Sequence, residues 1–404
     1  MRHRLSTWIL VILGIMAGLT KLASADTAID LDQADGQVLI EEAGVYTLTG
    51  HLDGSVLIDA GEGDVTLILD GAVIESSGTA GITAVSGSSL TIQLADGTEN
   101  TVSDGGSDED YDAAVFSQIP LTFDGTGSLT VLGNNQEGIS TENADLTFLN
   151  GVYTVASLDD GIGAGGDDGG TLTFLGGTFY INASGDGIDS NASILFAGGS
   201  IYVIGSAQGG DAGIDSDGGY VITGGSIVAL GTDMLEAPAS GTTQCTLAVT
   251  LDESVAEGSQ VVLRSEDGTE IVSFTADQAF RTLVISNDQM NTGNYTLLVN
   301  GTAVSIGGQE TLALTDTVTA VGSMMPMSEG MFPGEPPKGM PGDGSFPEPP
   351  DGTFGGGNPP EMPEGMVDGA VPPERPEVGS TPPPRPGESS EDTAGSADSV
   401  TDQP

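Results

Sequence analysis

Gly185-Asp186-Gly187-Ile188-Asp189-Ser190 is the stretch on which the fold turns. Its centre, a Gly-Ile pair flanked by acids, recurs at Gly138-Ile139, Gly161-Ile162 and Gly213-Ile214, at intervals of 23, 26 and 26 residues. The accompanying acids are Glu137, then Asp159 and Asp160, then Asp186 and Asp189, then Asp211 and Asp215. A unit of about 25 residues cannot bury its own apolar face, so a fixed period of that length means coils stacked on one another. Equivalent residues of neighbouring coils then stand one strand spacing apart, about 4.8 Å.

Working outward, the turns bring further columns into line. Phe148, Phe174, Phe196 and Ile222 share one position, each followed after one residue by a turn pair: Asn150-Gly151, Gly176-Gly177, Gly198-Gly199 or Gly224-Gly225. Leu146, Leu172, Ile194 and Tyr220 lie two residues earlier, and Tyr153, Phe179, Ile201 and Ile227 lie just after the turn. Period-2 alternation points these columns inward. Short runs such as Val65-Thr-Leu-Ile-Leu69 and Leu90-Thr-Ile-Gln-Leu94 read as strands, and helix signals are almost absent. The expected fold is all-β: a right-handed parallel β-helix of about eight coils.

The chain divides by composition. Residues 1–25 carry Arg2 and Arg4 ahead of the apolar run Trp8 to Leu19, then Ala23-Ser24-Ala25, the pattern of a secretory signal peptide. The β-helix is assigned to 26–240. Between 241 and 322 the period is lost, and Asp267-Gly268 and Asn300-Gly301 predict antiparallel hairpins in a small β-rich C-terminal unit. Residues 323–404, rich in Pro, Gly, Met and acids, read as a disordered tail. Ser103 to Tyr111, with Asp108-Glu109-Asp110, reads as an acidic loop between coils. The expected location is extracellular, with no membrane insertion once the signal is cleaved.

The formal charge is −51. Setting aside Arg2, Arg4 and Lys21 leaves Arg264, Arg281, Lys338, Arg375 and Arg385, so no Lys or Arg lies between Asp26 and Leu263. Nucleic acid is excluded as a partner, because phosphate binding needs a basic footprint. With Cys245 as the single cysteine, no intrachain disulfide forms. His51 is the only histidine after the signal, which argues against histidine-based nucleophilic catalysis.

Without basic residues, columns of carboxylates need another counter-charge. Hard oxygen donors beside glycine turns suit calcium, and Asp159, Asp160, Asp186, Asp189, Asp211 and Asp215 are the expected ligands. The competing explanation is that Asp simply suits tight turns. Tyr180 and Tyr202 follow inward residues of adjacent coils, so they should project outward as a stacked pair. That pair is a candidate platform for sugar rings, or else ordinary cross-strand packing under a covering loop. A lyase acting on uronates would want a basic residue, which the solenoid lacks; a glycosidase would need only paired carboxylates.

Asp112-Ala-Ala-Val-Phe-Ser117, Gly125-Thr-Gly-Ser-Leu-Thr-Val131, Asp160-Gly-Ile162, Gly176-Gly-Thr-Phe179, Gly185-Asp-Gly-Ile-Asp-Ser190 and Gly213-Ile-Asp-Ser216, in this order, resemble a family. It is that of secreted, calcium-binding parallel β-helix proteins that bind carbohydrate and have relatives among polysaccharide lyases. The resemblance implies calcium at the Asp-Gly-Ile turns and a pectin-like or cellulosic polysaccharide as partner. Two departures stand out. Glu137 replaces Asp in its coil, and the lysines that often follow Gly-Ile in such proteins are Ser140, Gly163, Asp189 and Asp215 here. An acidic polymer would therefore have to be bridged through calcium. The expected function is non-catalytic polysaccharide binding; the alternatives are a structural or adhesive cell-surface spacer, and a glycosidase using the Asp cluster.

Overall fold

The computed structural model describes residues 26–105, 111–166, 169–207, 209–308, 311–314 and 318–321. The signal peptide, the centre of the acidic loop and the tail inferred above lie outside them. Beyond one short 3₁₀ turn, Leu31–Gln33, the described elements are strands. No helix among the described residues is long and apolar enough to cross a membrane.

Each coil contributes strands to three parallel columns. The first column pairs residues starting at Gly44, Val65, Leu90, Leu121, Leu146, Leu172, Ile194 and Tyr220, and so encloses about seven complete turns. Successive starts are 21 to 31 residues apart, and the longest interval, from 90 to 121, contains the acidic loop. The second column runs through Ser128, Val152, Thr178, Ser200 and Ser226. The third carries the Gly-Ile motif: Ile82, Val115, Ile139, Ile162 and Ile188 in register, with Ile214 joined by a single bridge. Gly81-Ile82 therefore belongs to the series, although no acid flanks it. The earliest coils obey the same register with fewer corners, since Gly44–Asp59 runs through all three columns as one strand.

The interior is a set of side-chain stacks. Phe123, Phe148, Phe174 and Phe196 stack with ring centroids 4.9, 5.2 and 5.0 Å apart and planes within 10° of parallel. Tyr153 and Phe179 stack at 4.8 Å and meet Phe148 edge-on. Parallel register forces this repetition, because the like position in every coil meets the same surroundings. The glycine pair at the corner has two separate causes. A Cβ on Gly176 would lie 2.2 Å from the Leu149 carbonyl, and Gly177 adopts φ +95°, which L side chains rarely adopt.

After Gly231 the sheet continues antiparallel. Phe280–Ser286 pairs with Ser226–Gly231, and Thr246–Val255 pairs with Phe280–Ser286. A second sheet contains Gln260–Ser265, Glu270–Thr275, Gly293–Val299, Thr302–Ala303 and Leu312–Leu314. Both sequence-inferred hairpin turns are present, with Asn300 and Gly301 at φ 50° and 79°. The apolar side of this part, including Leu247, Phe274 and Phe280, packs onto Tyr180 and Tyr202.

That packing corrects the sugar-platform expectation. Tyr180 and Tyr202 do project from adjacent coils and stack, 5.8 Å apart and 7° from parallel. They are only 2% and 6% exposed, however, and Tyr202 meets Phe274 edge-on. Their hydroxyls donate to Asp277 Oδ2 and the Thr275 carbonyl. No sugar ring reaches either face. Antiparallel strands added beyond the periodic region cover the side of the solenoid that the tyrosines occupy.

Candidate metal centre

The third column is built so that successive coils lie very close. A Cβ on Gly161 would sit 2.4 Å from the Gly187 carbonyl, and one on Gly187 would sit 2.6 Å from the Gly213 carbonyl. Only glycine permits that approach, which explains the first half of the motif at Gly138, Gly161 and Gly187, whereas the earlier coil has Ala114 there. The Ile after it is buried in every coil. The residue before Gly and the residue after Ile face outward, and they form two acid-bearing columns: Glu137, Asp160, Asp186, Ala212; and Ser140, Gly163, Asp189, Asp215.

Asp160 and Asp186 each use one carboxylate oxygen on the next coil. Asp160 Oδ1 accepts from the Asp186 amide at 2.7 Å, and Asp186 Oδ1 accepts from the Ala212 amide. The turn-chemistry explanation is therefore correct for these oxygens. It does not account for the rest of the cluster. Carboxylate oxygens of Asp186, Asp189 and Asp215 all lie within 4.8 Å of one another, on half-buried side chains. Two unit charges at that distance repel by about 3.5 kcal/mol at an effective dielectric of 20. No Lys or Arg in the solenoid offsets this.

The carboxyls carry the electrostatic mark of burial and, after it, of that crowding. Burial first, then neighbouring acids, pushes Asp186 up to about 8 and Asp189 up to about 6. Asp160 is pushed up to about 7 by burial, with Asp189, Asp159 and Asp211 adding to the effect. Burial also raises Asp159 and Asp215 above the ordinary carboxylate range.

The six sequence-inferred ligands thus divide. Asp186, Asp189 and Asp215 converge. Asp159 and Asp160 form a second group, their carboxylates closing over the space left by Gly185, where a Cβ would meet both. Asp211 lies near enough to raise Asp159, Asp160 and Asp215, but outside the convergent triad.

One residue was not legible in the repeat. Glu236, in the chain that leaves the last coil, comes close to the triad and is pushed up to about 8 by burial, then by Asp215. Its Oε2 is buried without a hydrogen-bond partner. Nothing in the period marks Glu236, because it follows the final Gly-Ile motif. Glu137, the departure from Asp, is likewise pushed up to about 8, chiefly by burial, and its Oε2 is also buried and unpartnered. The donor set is wholly oxygen, multiply charged and short of protein cations. It fits calcium, which takes six to eight oxygens, better than ions that prefer nitrogen or sulfur.

Beside the triad runs a groove of about 290 Å³ lined by Asp112, Phe116, Glu137, Ser140, Asp189 and Asn191 among others. Asp189 belongs to both the groove and the carboxylate triad, so a ligand in the groove lies next to any ion held there.

Fold and site together define a parallel β-helix protein that brings Asp186, Asp189 and Asp215 together at its Gly-Ile turns. The sequence family described as carbohydrate-binding domain-containing protein matches residues 34–302, and the chain belongs to that family. A carbohydrate-binding domain-containing protein of Acetivibrio thermocellus is 34% identical over 141 residues, 33% of this chain and 49% of the relative. The chain thus matches about half the length of that curated relative. A solved structure of a polysaccharide lyase-like protein from C. thermocellum, a gadolinium derivative, is similar at 27% identity and a TM-score of 0.40. That likeness covers 50% of this chain and 92% of the other.

Proposed function

We propose that this chain is a secreted, non-catalytic polysaccharide-binding protein whose coils hold calcium at the Gly-Ile turns. Asp186, Asp189 and Asp215 would provide the principal site, with Glu236 adjoining and the unused oxygens of Asp159 and Asp160 forming a neighbouring one. The observation that carries this reading is the convergence of three half-buried carboxylates in a solenoid without Lys or Arg. The family assignment supports a carbohydrate as the ligand.

With the tyrosine pair covered, the groove beside Asp189 is the surface best suited to a sugar chain. Bound calcium would supply a positive centre in an otherwise acidic groove, so pectin-like chains with carboxylates gain most from it. Hydroxyls of a cellulosic chain would instead meet Ser140, Asn191 and the carboxylates that line the groove. The solenoid has no Lys or Arg to abstract a proton or clamp a uronate carboxylate, which favours binding over lyase chemistry.

Pull-down on pectate and on cellulose, with calcium and with chelator, tests the proposal beside a reducing-end assay. Retention on either polymer only when calcium is present is the expected result. No retention on either polymer would leave the rigid spacer as the better description. Released reducing ends would instead make the protein a glycosidase.

A further inference from the structure

A second constellation lies in the first coils, far along the chain from the Asp triad. His51 and Asp53 sit on Gly44–Asp59, and Glu75 ends the strand Asp64–Glu75 that pairs with it in parallel. The register sets Asp53 directly beside Glu75 and His51 beside Val73. His51 Nε2 is 3.0 Å from Glu75 Oε2 and 3.5 Å from Asp53 Oδ1, and the three donor atoms lie within 4.8 Å of one another. We propose that His51, Asp53 and Glu75 form a separate site for a divalent transition ion that accepts nitrogen, of the zinc, nickel or copper class.

Three observations carry this. First, the spacing is that of donors around a small ion. Metal–donor bonds of about 2.0–2.2 Å put adjacent donors about 2.8–3.1 Å apart at an octahedral angle and about 3.3–3.6 Å apart at a tetrahedral one. The two imidazole–carboxylate separations, 3.0 and 3.5 Å, fall within that span. Second, the carboxylates of Asp53 and Glu75 stand side by side in parallel register, a like-charge pairing that costs stability when nothing lies between them. A divalent ion neutralises both at once, whereas the imidazole is already hydrogen-bonded to one.

Third, the backbone aims the histidine. The register slips between Leu48 and Gly50, and Gly50 takes φ +87°. The His51 amide donates to Asp32 Oδ1 at 2.9 Å, and Asp32 stands outside the donor set. Bulges of this kind redirect a side chain relative to the regular pleat. All three side chains are exposed, so an ion has an open entry and its remaining positions fall to water. The imidazole sets the selectivity: calcium prefers an all-oxygen shell, and nitrogen suits zinc, copper and nickel.

The test uses the full chain in excess calcium, so that oxygen-only sites are saturated before zinc is titrated in calorimetrically. One saturable zinc equivalent is expected, and neither His51→Ala nor Glu75→Gln should retain it. Each should weaken binding at least about tenfold, since even residues behind the ligands commonly contribute that much. With copper as the probe, electron paramagnetic resonance should show coupling to one imidazole nitrogen, lost in His51→Ala. Circular dichroism of both variants should match the parent, as the side chains are exposed. Unchanged zinc affinity in His51→Ala, or displacement of zinc by calcium, would overturn the assignment. Either result leaves the calcium reading of the Asp triad standing, because the two sites share no residue.

Discussion

Asp186 shows how one residue serves two demands. One oxygen ties its coil to the Ala212 amide, and the carboxylate also belongs to the triad with Asp189 and Asp215. Asp186→Asn keeps an acceptor for the amide and removes the charge. In chelator this variant should therefore melt higher than the parent, while its calcium-induced rise in Tm should largely vanish. On the calcium proposal, a hundredfold excess over Kd should stabilise the parent by about 2.7 kcal/mol, and calorimetric melts read the difference. The pH dependence follows from the same groups. Asp160, Asp186, Glu137 and Glu236 have folded values raised to about 7, 8, 8 and 8. A raised folded value means the native state binds the proton more readily than the unfolded chain. Their contribution is then fully present below the unfolded values near 4 and is lost as pH rises through about 8. Metal-free protein should lose Tm progressively from pH 4 to 8, whereas calcium should flatten that slope. A metal-free Tm that climbs over this interval would contradict the burial and mutual crowding of these acids.

At the level of the element, the solenoid is held by repetition. Four phenylalanines stack in the first column, and Tyr153 and Phe179 meet them edge-on from the second. Phe174 touches stack members on both sides, so Phe174→Ala leaves a cavity that neighbouring coils cannot close without losing register. The expected cost is about 3–5 kcal/mol, measured by denaturant unfolding. Gly161→Ala acts through the backbone instead. Its Cβ would meet both the Gly187 carbonyl and Ile181 Cγ2 at 2.4 Å, so adjacent coils must separate. A loss of about 2–4 kcal/mol is expected, and reduced calcium affinity should accompany it, because Asp160 and Asp186 flank the displaced strand. Equal calcium affinity in a destabilised Gly161→Ala would separate coil packing from the site.

Across the whole molecule, charge governs behaviour. A chain of formal charge −51 repels itself, and its solenoid has no Lys or Arg to relieve that. Sodium chloride should therefore raise the Tm of chelated protein strongly and that of calcium-loaded protein weakly, because screening and ion binding relieve the same repulsion. A parallel response of both forms would argue against calcium as the counter-charge. Much of the architecture was legible in sequence. A parallel stack repeats its environment every coil, so the columns Phe148-Phe174-Phe196 and Ile139-Ile162-Ile188 could be read from spacing alone. The same logic identified the acids of the Gly-Ile turns, since a residue's place in the period fixes which face it occupies. Spacing could not say which outward residues stay uncovered. The fate of Tyr180 and Tyr202 was decided by later antiparallel strands, with hydroxyl partners 97 and 73 residues further along the chain, and Glu236 came close to the Asp triad from beyond the last repeat. The meeting of His51, Asp53 and Glu75 likewise depended on a bulge at Gly50. Periodic contacts are local in the stack and are written in the sequence; contacts made by its non-repeating parts exist only once the chain has folded back upon itself.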